Sequence, residues 1–225
     1  MYSKIKFVAV LVFLVTFLNS LKADDVSVRF ACFGLNHDVN ELDVYMNESD
    51  SIQVRIPRVG FSEIIDVGGR SLKIESGSLL SGTRSLEPAW LDIALPEEGG
   101  AFVILLMDVA NQGIRPVVIP SDTDRFKAGD ILFFNLSDSK VGVKLADESV
   151  VMNPYSKRVM TAPDVGKLES YQVQFFVDQE SGAKIFGATR WQKQHKVRAY
   201  VFILRDVKSG RFTYKSMGEF VSDDS

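Results

Sequence analysis

Apolar and polar side chains alternate with a period of two along most of the chain, which is the pattern of half-buried β-strands. The clearest stretches are residues 26–32, 42–46, 52–56, 71–76, 140–145 and 171–177. Clusters of Gly, Pro, Asp and Ser separate them, whereas no helical periodicity follows residue 24. Short strands at near-regular spacing with turn residues between them predict an antiparallel sandwich.

One strand-like segment occurs twice. Residues 101–109 (AFVILLMDV) recur as residues 199–207 (AYVFILRDV), an offset of 98, and a glycine follows each copy. Residues 41–46 and 140–145 match at an offset of 99. Matching segments at both ends of a stretch of about 100 residues, an ordinary domain size, indicate a duplication.

We therefore predict an all-β fold of two tandem immunoglobulin-like antiparallel β-sandwich modules, module 1 at residues 24–120 and module 2 at residues 121–225. The polar stretch 120–129 is interpreted as the linker between them. A linker this short predicts that the modules touch. One continuous sandwich whose halves share a core is the alternative that the same pattern allows.

The N-terminal segment has the features of a secretory signal peptide. Lys4 and Lys6 precede an apolar run of 12 residues, 7–18, and Ala23 offers a small residue before a cleavage point. The run is too short for a membrane span, although an uncleaved anchor is the alternative. We predict a signal peptide at residues 1–23 and export to the bacterial periplasm or cell envelope, or beyond the cell.

Charge and cysteine content narrow the choice of partners. Removal of residues 1–23 leaves 23 Lys and Arg against 29 Asp and Glu, a formal charge of −6. This balance argues against nucleic acid, whose phosphates require clustered cations. The single cysteine, Cys32, allows no intrachain disulfide and falls on the buried phase of its strand.

No pattern in the sequence reaches the specificity of a catalytic, cofactor or metal motif. His37 and His195 lie far apart without the further ligands that zinc needs, and no serine occurs in a Gly-x-Ser-x-Gly context. Asp122, Asp124 and Asp130 around the linker lack the other oxygen ligands of a calcium site. We predict no enzyme activity, no cofactor and no metal; a triad assembled from distant residues is the least favoured alternative.

Asp108 and Asp206 occupy the same place in the two repeated segments, each before a turn that contains glycine. Aspartate side chains accept hydrogen bonds from turn amides, so this recurrence is predicted to be structural.

One basic segment near the C-terminus is the candidate contact for a ligand or partner. Its members are Arg190, Trp191, Lys193, His195, Lys196 and Arg198. Four cations beside an aromatic ring in an acidic protein would suit an anionic glycan or another envelope protein, with Trp191 as a stacking platform. The alternative, which we favour, places Trp191 in the sandwich core, because Trp90 precedes the other repeated segment at a similar distance.

Three strand motifs resemble those of secreted bacterial β-sandwich proteins of unknown function with duplicated modules. They are Leu42–Asn47 (LDVYMN), Gly129–Ser137 (GDILFFNLS) and Asp206–Arg211 (DVKSGR). The resemblance implies an exported or envelope protein and transfers no catalytic residue.

The chain also resembles periplasmic pilus chaperones, which have two immunoglobulin-like modules behind a signal peptide. The segment from Ala101, followed by Gly113–Pro116, is similar to their donor strand, which acts by strand addition. Our prediction is a noncatalytic exported envelope protein with a binding or scaffolding role, and a pilus-type chaperone is the alternative. The chaperone requires the Ala101 strand to be an exposed edge.

Overall fold

The computed structural model of the protein describes residues 26–33, 41–57, 59–75, 90–109, 113–122, 126–166, 170–179, 182–206 and 209–221. The predicted signal peptide, His37 and Asp124 lie outside the described residues. Among the described residues, none forms a helix long and apolar enough to span a membrane.

Sixteen strands are described, eight in each half of the chain. The first eight are β1 (Ser27–Phe33), β2 (Glu41–Tyr45), β3 (Ser51–Arg55), β4 (Ile65–Asp66), β5 (Ser71–Glu75), β6 (Trp90–Ala94), β7 (Ala101–Val109) and β8 (Gly113–Pro120). The others are β9 (Asp130–Asn135), β10 (Val141–Leu145), β11 (Glu148–Met152), β12 (Lys157–Thr161), β13 (Ser170–Gln179), β14 (Gly182–Gln192), β15 (Val197–Arg205) and β16 (Phe212–Phe220).

The two halves have the same topology. Module 1 pairs an outer sheet, β3-β2-β5-β6, with an inner sheet, β4-β1-β7-β8. Module 2 has an outer sheet, β11-β10-β13-β14, and an inner sheet, β12-β9-β15-β16, so each strand has its counterpart eight strands later. The all-β fold of two tandem sandwich modules is confirmed. Pairing departs from antiparallel at one place in each module, where β1 runs parallel to β7 and β9 parallel to β15.

Each module closes a core of its own between its outer and inner sheets. A third core lies between the two inner sheets. Its buried members are Ala31, Val103, Leu105, Ile119, Phe126, Leu132, Tyr200, Phe202 and Met217. The molecule is thus a stack of four sheets in the order outer, inner, inner, outer. The predicted modules do touch, and the alternative of a shared core is correct in part, because the shared core adds to two separate ones.

Burial on both faces explains why the repeated segments are continuously apolar. In β7, Phe102 and Ile104 point into the core of module 1, whereas Val103 and Leu105 point into the shared core. A strand that is covered on both sides has no solvent face on which polar residues would alternate. The repeated segments are therefore the central strands of the two inner sheets, with β15 as the counterpart of β7.

The offset of 98 between the repeated segments is wrong by one residue. It aligns Phe102, in the core of module 1, with Tyr200, in the shared core. Successive side chains of a strand point to opposite faces, so a shift of one residue exchanges the two cores. An offset of 99, which already aligns β2 with β10, matches Phe102 with Val201, in the core of module 2.

The linker contributes a buried side chain, although its polar composition predicts an exposed segment. Phe126 is 3% exposed and belongs to the shared core, with its ring 4.9 Å from that of Tyr200 in an edge-to-face arrangement. One aromatic residue in a polar stretch was the only sequence signal of this contact.

Candidate functional site: a cleft at one end of module 2

The basic segment predicted from the sequence spans the end of β14, the start of β15 and the turn by which the chain crosses from the outer to the inner sheet of module 2. Residues 193–196 make the turn, which is closed by a hydrogen bond from the Val197 amide to the Gln194 carbonyl, 3.3 Å long. The structure places the six predicted contact residues in four environments: Trp191 against the core of module 2, Arg198 in the shared interface, Arg190 on the outward side of β14, and Lys193, His195 and Lys196 in the turn.

Trp191 belongs to the core of module 2. Its ring stacks on Phe133 with centroids 6.4 Å apart and also contacts Phe175 and Tyr214. The favoured interpretation of Trp191 as a core residue is therefore confirmed. The same interpretation is wrong for Trp90, which is 50% exposed on the outer sheet of module 1 and meets Tyr45 edge to face.

A cleft of about 200 Å³ opens at the end of module 2, beside this turn. Trp191 and Tyr171 are its aromatic lining residues. Gln192 and Gln194 line the same space. An apolar wall with a few polar groups is the usual composition of a small ligand site, although this cleft is smaller than most.

Asp130 also lines the cleft, and its carboxylate is held by the protein itself. One oxygen accepts the Lys127 amide at 3.0 Å, and the other accepts the Thr161 hydroxyl at 2.9 Å. These bonds fix the start of β9 against the end of β12. The carboxylate therefore acts first as a structural acceptor at the wall of the cleft.

Lys193 ties the turn to the segment that follows β12. Its ammonium lies 2.9 Å from Asp164, and Ala162 of that segment lines the cleft. The hydrogen bond and charge of Lys193 lower the pKa of the Asp164 carboxyl, and the charge of His195 acts in the same direction. Lys196 is exposed in the turn, with His195 beside it, next to Gln194 of the cleft lining, so the rim of the cleft is cationic at this turn.

Arg198 does not belong to this rim. It is 3% exposed, and its Nε and Nη2 donate to Glu219 at 2.8 and 2.9 Å while Nη1 donates to the Phe126 carbonyl at 2.9 Å. Arg29 of module 1 lies 2.5 Å from the same carboxylate. This geometry corrects the prediction that Arg198 contacts an external ligand, because its three guanidinium nitrogens already donate hydrogen bonds within the protein.

The ion group of Arg29, Arg198 and Glu219 between the modules contributes to shifts in the pKa values of Glu219 and Tyr200. Burial would raise the pKa of Glu219, but hydrogen bonds from Arg198 and Tyr200 and the charges of Arg29 and Arg198 outweigh it and lower the pKa. Burial, followed by the charge of Glu219, raises the pKa of Tyr200. Glu219 therefore stays ionised and Tyr200 stays protonated across the ordinary pH range.

Sequence reasoning missed this network because its members lie on three separate strands. One signal was present: Arg198 is two and four residues from Tyr200 and Phe202, so all three share a strand face. A cation in phase with buried aromatic residues requires a buried carboxylate partner.

The other predicted residues have structural surroundings. Cys32 is half-buried against the core of module 1, and burial raises the pKa of its thiol to about 12, so it is protonated at neutral pH. Asp122 accepts the amides of Gly100 and Ala101 at 3.0 and 3.2 Å. In the ranges that the structure describes, no three His, Cys, Asp or Glu side chains come together in a way that could hold a metal ion.

The motif residues that carry the family resemblance also have structural roles. The Asn135 amide donates to the carbonyls of Ser139 and Asn153, and its oxygen accepts the amide and hydroxyl of Ser137. Asp206 accepts the Ser209 amide at 2.7 Å, as predicted for a turn aspartate. Asp108 lies within β7, paired with Ile114, and its side chain is outside what the structure describes.

Comparison with known proteins adds little. No protein-family profile matches the chain, and no curated protein matches it. A crystal structure of a proposed cell adhesion protein from Bacteroides uniformis ATCC 8492 is similar over 88% of this chain and 99% of that one, with 8% identity and a TM-score of 0.24. This TM-score is too low for the likeness to support an argument about function.

Proposed function

We propose that the protein is an exported, noncatalytic binding protein of the bacterial envelope, and that the cleft of module 2 binds an anionic glycan. The observation that supports this proposal is the placement of Trp191, Tyr171, Gln192 and Gln194 at the cleft, beside a turn that contains Lys193 and Lys196. An aromatic wall offers an apolar surface to a sugar ring, and amides offer hydrogen bonds to hydroxyl groups.

The charges favour an acidic sugar over a neutral one. His195 and Lys196 lie in the turn beside the opening, in a chain whose overall charge is negative. Exposed charges interact weakly, so the rim would add selectivity and salt dependence more than affinity. We expect weak binding at each site, as suits a protein that meets a repetitive polymer.

The proposal that the protein is noncatalytic is supported by the contacts that already engage the carboxylates near the cleft. Asp130 and Asp164 at the cleft are bound by neighbouring side chains, which lowers their availability for proton transfer. His195 lies at an exposed turn. Export has its support in the charge and length of residues 1–23.

The pilus-chaperone alternative loses the observation that suggested it. β7, which begins at Ala101, is paired with β1 on one side and β8 on the other. Its residues 102–106 are buried. A strand that is paired on both edges cannot be donated to another subunit without dismantling the inner sheet.

The test is calorimetric titration with polygalacturonate, an acidic polysaccharide, and with dextran, a neutral one. We expect binding of polygalacturonate that weakens at high salt, and little binding of dextran. Gln194→Ala and Lys196→Glu should each weaken binding severalfold. Lys184→Glu, an identical charge change at the far end of β14, should leave it unchanged.

Equal binding of both polymers would contradict the anionic-glycan proposal, as would equal effects of Lys184→Glu and Lys196→Glu. Binding that survives Gln194→Ala and Lys196→Glu together would place the site elsewhere on the molecule.

A further inference from the structure

The outward face of the module 2 outer sheet has an apolar row that crosses all four strands. Strand register places Val151 of β11 beside Gly142 of β10, Gly142 beside Phe176 of β13, and Phe176 beside Ile185 of β14. Outward residues of an antiparallel sheet that faces water are ordinarily polar. This row is therefore a departure that the fold of the module does not require.

The row is both exposed and shaped by its glycine. Val151 is 49% exposed and Ile185 is 55% exposed. The ring of Phe176 lies over Gly142, where a Cβ would be 2.1 Å from the ring. The absence of a side chain at position 142 lets the ring lie flat, which produces a low apolar band.

The matching row of module 1 has the opposite character. The offset of 99 aligns Gly142 with Asp43, which lies beside Gln53 of β3. The same face has Trp90 beside Glu75 and the Tyr45–Trp90 pair with ring centroids 5.1 Å apart. The two modules have the same backbone topology, but their outward faces differ. The module 1 face is aromatic and acidic, whereas the module 2 face is apolar.

The charges of the two faces are complementary. The outward side chains of the module 1 face include two cations, Arg55 and Lys73, and a larger number of carboxylates. These carboxylates are Glu41, Asp43, Glu75 and Asp92. The described outward side chains of the module 2 face include the cations Lys144 and Arg190. The two faces lie on opposite outer layers of the stack, so the two faces of one molecule cannot bind each other.

We propose that these faces bind each other between molecules, the module 2 face of one copy on the module 1 face of the next. The aromatic pair of one face would cover the apolar row of the other, and the acidic side chains would meet the cations. The contact joins two different surfaces, so it repeats along an open, head-to-tail line of molecules. The contact between the two inner sheets shows the same kind of face-to-face packing within one chain.

The contact is weak because the faces are small. Four strands about 4.8 Å apart, each contributing about five residues at 3.4 Å, give a face of roughly 300 Å². Two such faces bury well under the roughly 1,200 Å² of a stable interface. We therefore expect association only at high protein concentration or when the molecules are held together on a surface.

The test is sedimentation of the purified full-length secreted protein over a range of concentrations and salt. We expect an average mass that rises with concentration without stopping at a dimer, and that falls with added salt. Ile185→Glu on one face and Asp43→Lys on the other should each weaken association at least about tenfold, because each brings like charges together. Val59→Glu and Asp66→Lys, the same kinds of change at exposed positions off both faces, should not.

Mixing Ile185→Glu with Asp43→Lys should restore association, since each variant keeps the face that the other has lost. Circular dichroism would verify that both variants fold. A mass that stays monomeric at every concentration would overturn the proposal. So would self-association of the Asp43→Lys variant alone that is as strong as that of the natural protein, which would show that two module 2 faces bind each other.

Discussion

The inner and outer sheets of this protein share one backbone plan and meet opposite environments. The inner sheets are covered on both sides, by their own outer sheet and by the other inner sheet. The outer sheets are covered on one side only, so β2 and β10 keep exposed residues between their buried ones. The comparison shows that the duplication is held together by a third core, which neither module would complete alone.

The consequence for stability is that the modules should unfold together. The shared core contains fully buried aromatic side chains, and the ion group of Arg29, Arg198 and Glu219 lies at its edge. Removal of one module would expose this apolar surface and leave buried charges without partners, and both effects are unfavourable.

The largest expected effect follows from truncation in the shared core. Phe202→Ala removes a fully buried ring and should lower the free energy of unfolding by about 3–5 kcal/mol. Phe220→Ala in the neighbouring strand removes a ring that is 82% exposed and should change it by less than about 0.5 kcal/mol. Chemical denaturation of both variants measures the difference, and similar losses for the two would contradict the shared core.

A smaller loss is expected when the buried carboxylate is neutralised. Glu219→Gln should lower the free energy of unfolding at pH 7 by about 3 kcal/mol, because Arg29 and Arg198 lose their counter-charge. Glu148→Gln, at an exposed position of β11, is the matched control.

The same carboxylate predicts a dependence on pH. Its folded pKa lies below the ordinary value of 4.5, so its stabilising contribution is complete above that value and is lost as the pH falls through the folded pKa. The stability difference between the natural protein and Glu219→Gln should therefore shrink below about pH 4.5. A difference that stays constant down to pH 2 would show that Glu219 is not the titrating group.

The smallest effect concerns the outer sheet of module 2. Gly142→Ala forces the Phe176 ring off the sheet, and we expect a loss of about 1 kcal/mol, because the ring can swing into solvent. Gly69→Ala, where a Cβ meets nothing closer than 3.9 Å, provides the comparison. Differential scanning fluorimetry resolves the two variants, and a loss as large as that of Phe202→Ala would mean that this face is not an exposed one.

The sequence predicts the strands of this fold well because period-two alternation survives wherever one face meets solvent. It fails to predict their facing in the inner sheets, since residues 101–107 of β7 and 199–204 of β15 are all apolar and conceal a shift of one residue. The short β4 was also missed, because two residues carry no periodicity.

The sequence singles out the basic segment, but not the cleft beside which the structure places its turn. Trp191 and Arg198 point inward because their strands are twisted around two different cores, a long-range property that local composition does not contain. Tyr171 and Asp130 line the same cleft from distant strands, which only the topology brings together.

Scanning calorimetry of the protein tests the central claim most directly. If the inner sheets share a core, the protein unfolds in a single transition whose calorimetric and van't Hoff enthalpies agree. Phe202→Ala should move that whole transition to lower temperature, by roughly 10 °C. Two separate transitions in the natural protein, or a Phe202→Ala variant in which half of the heat absorption stays in place, would contradict the account.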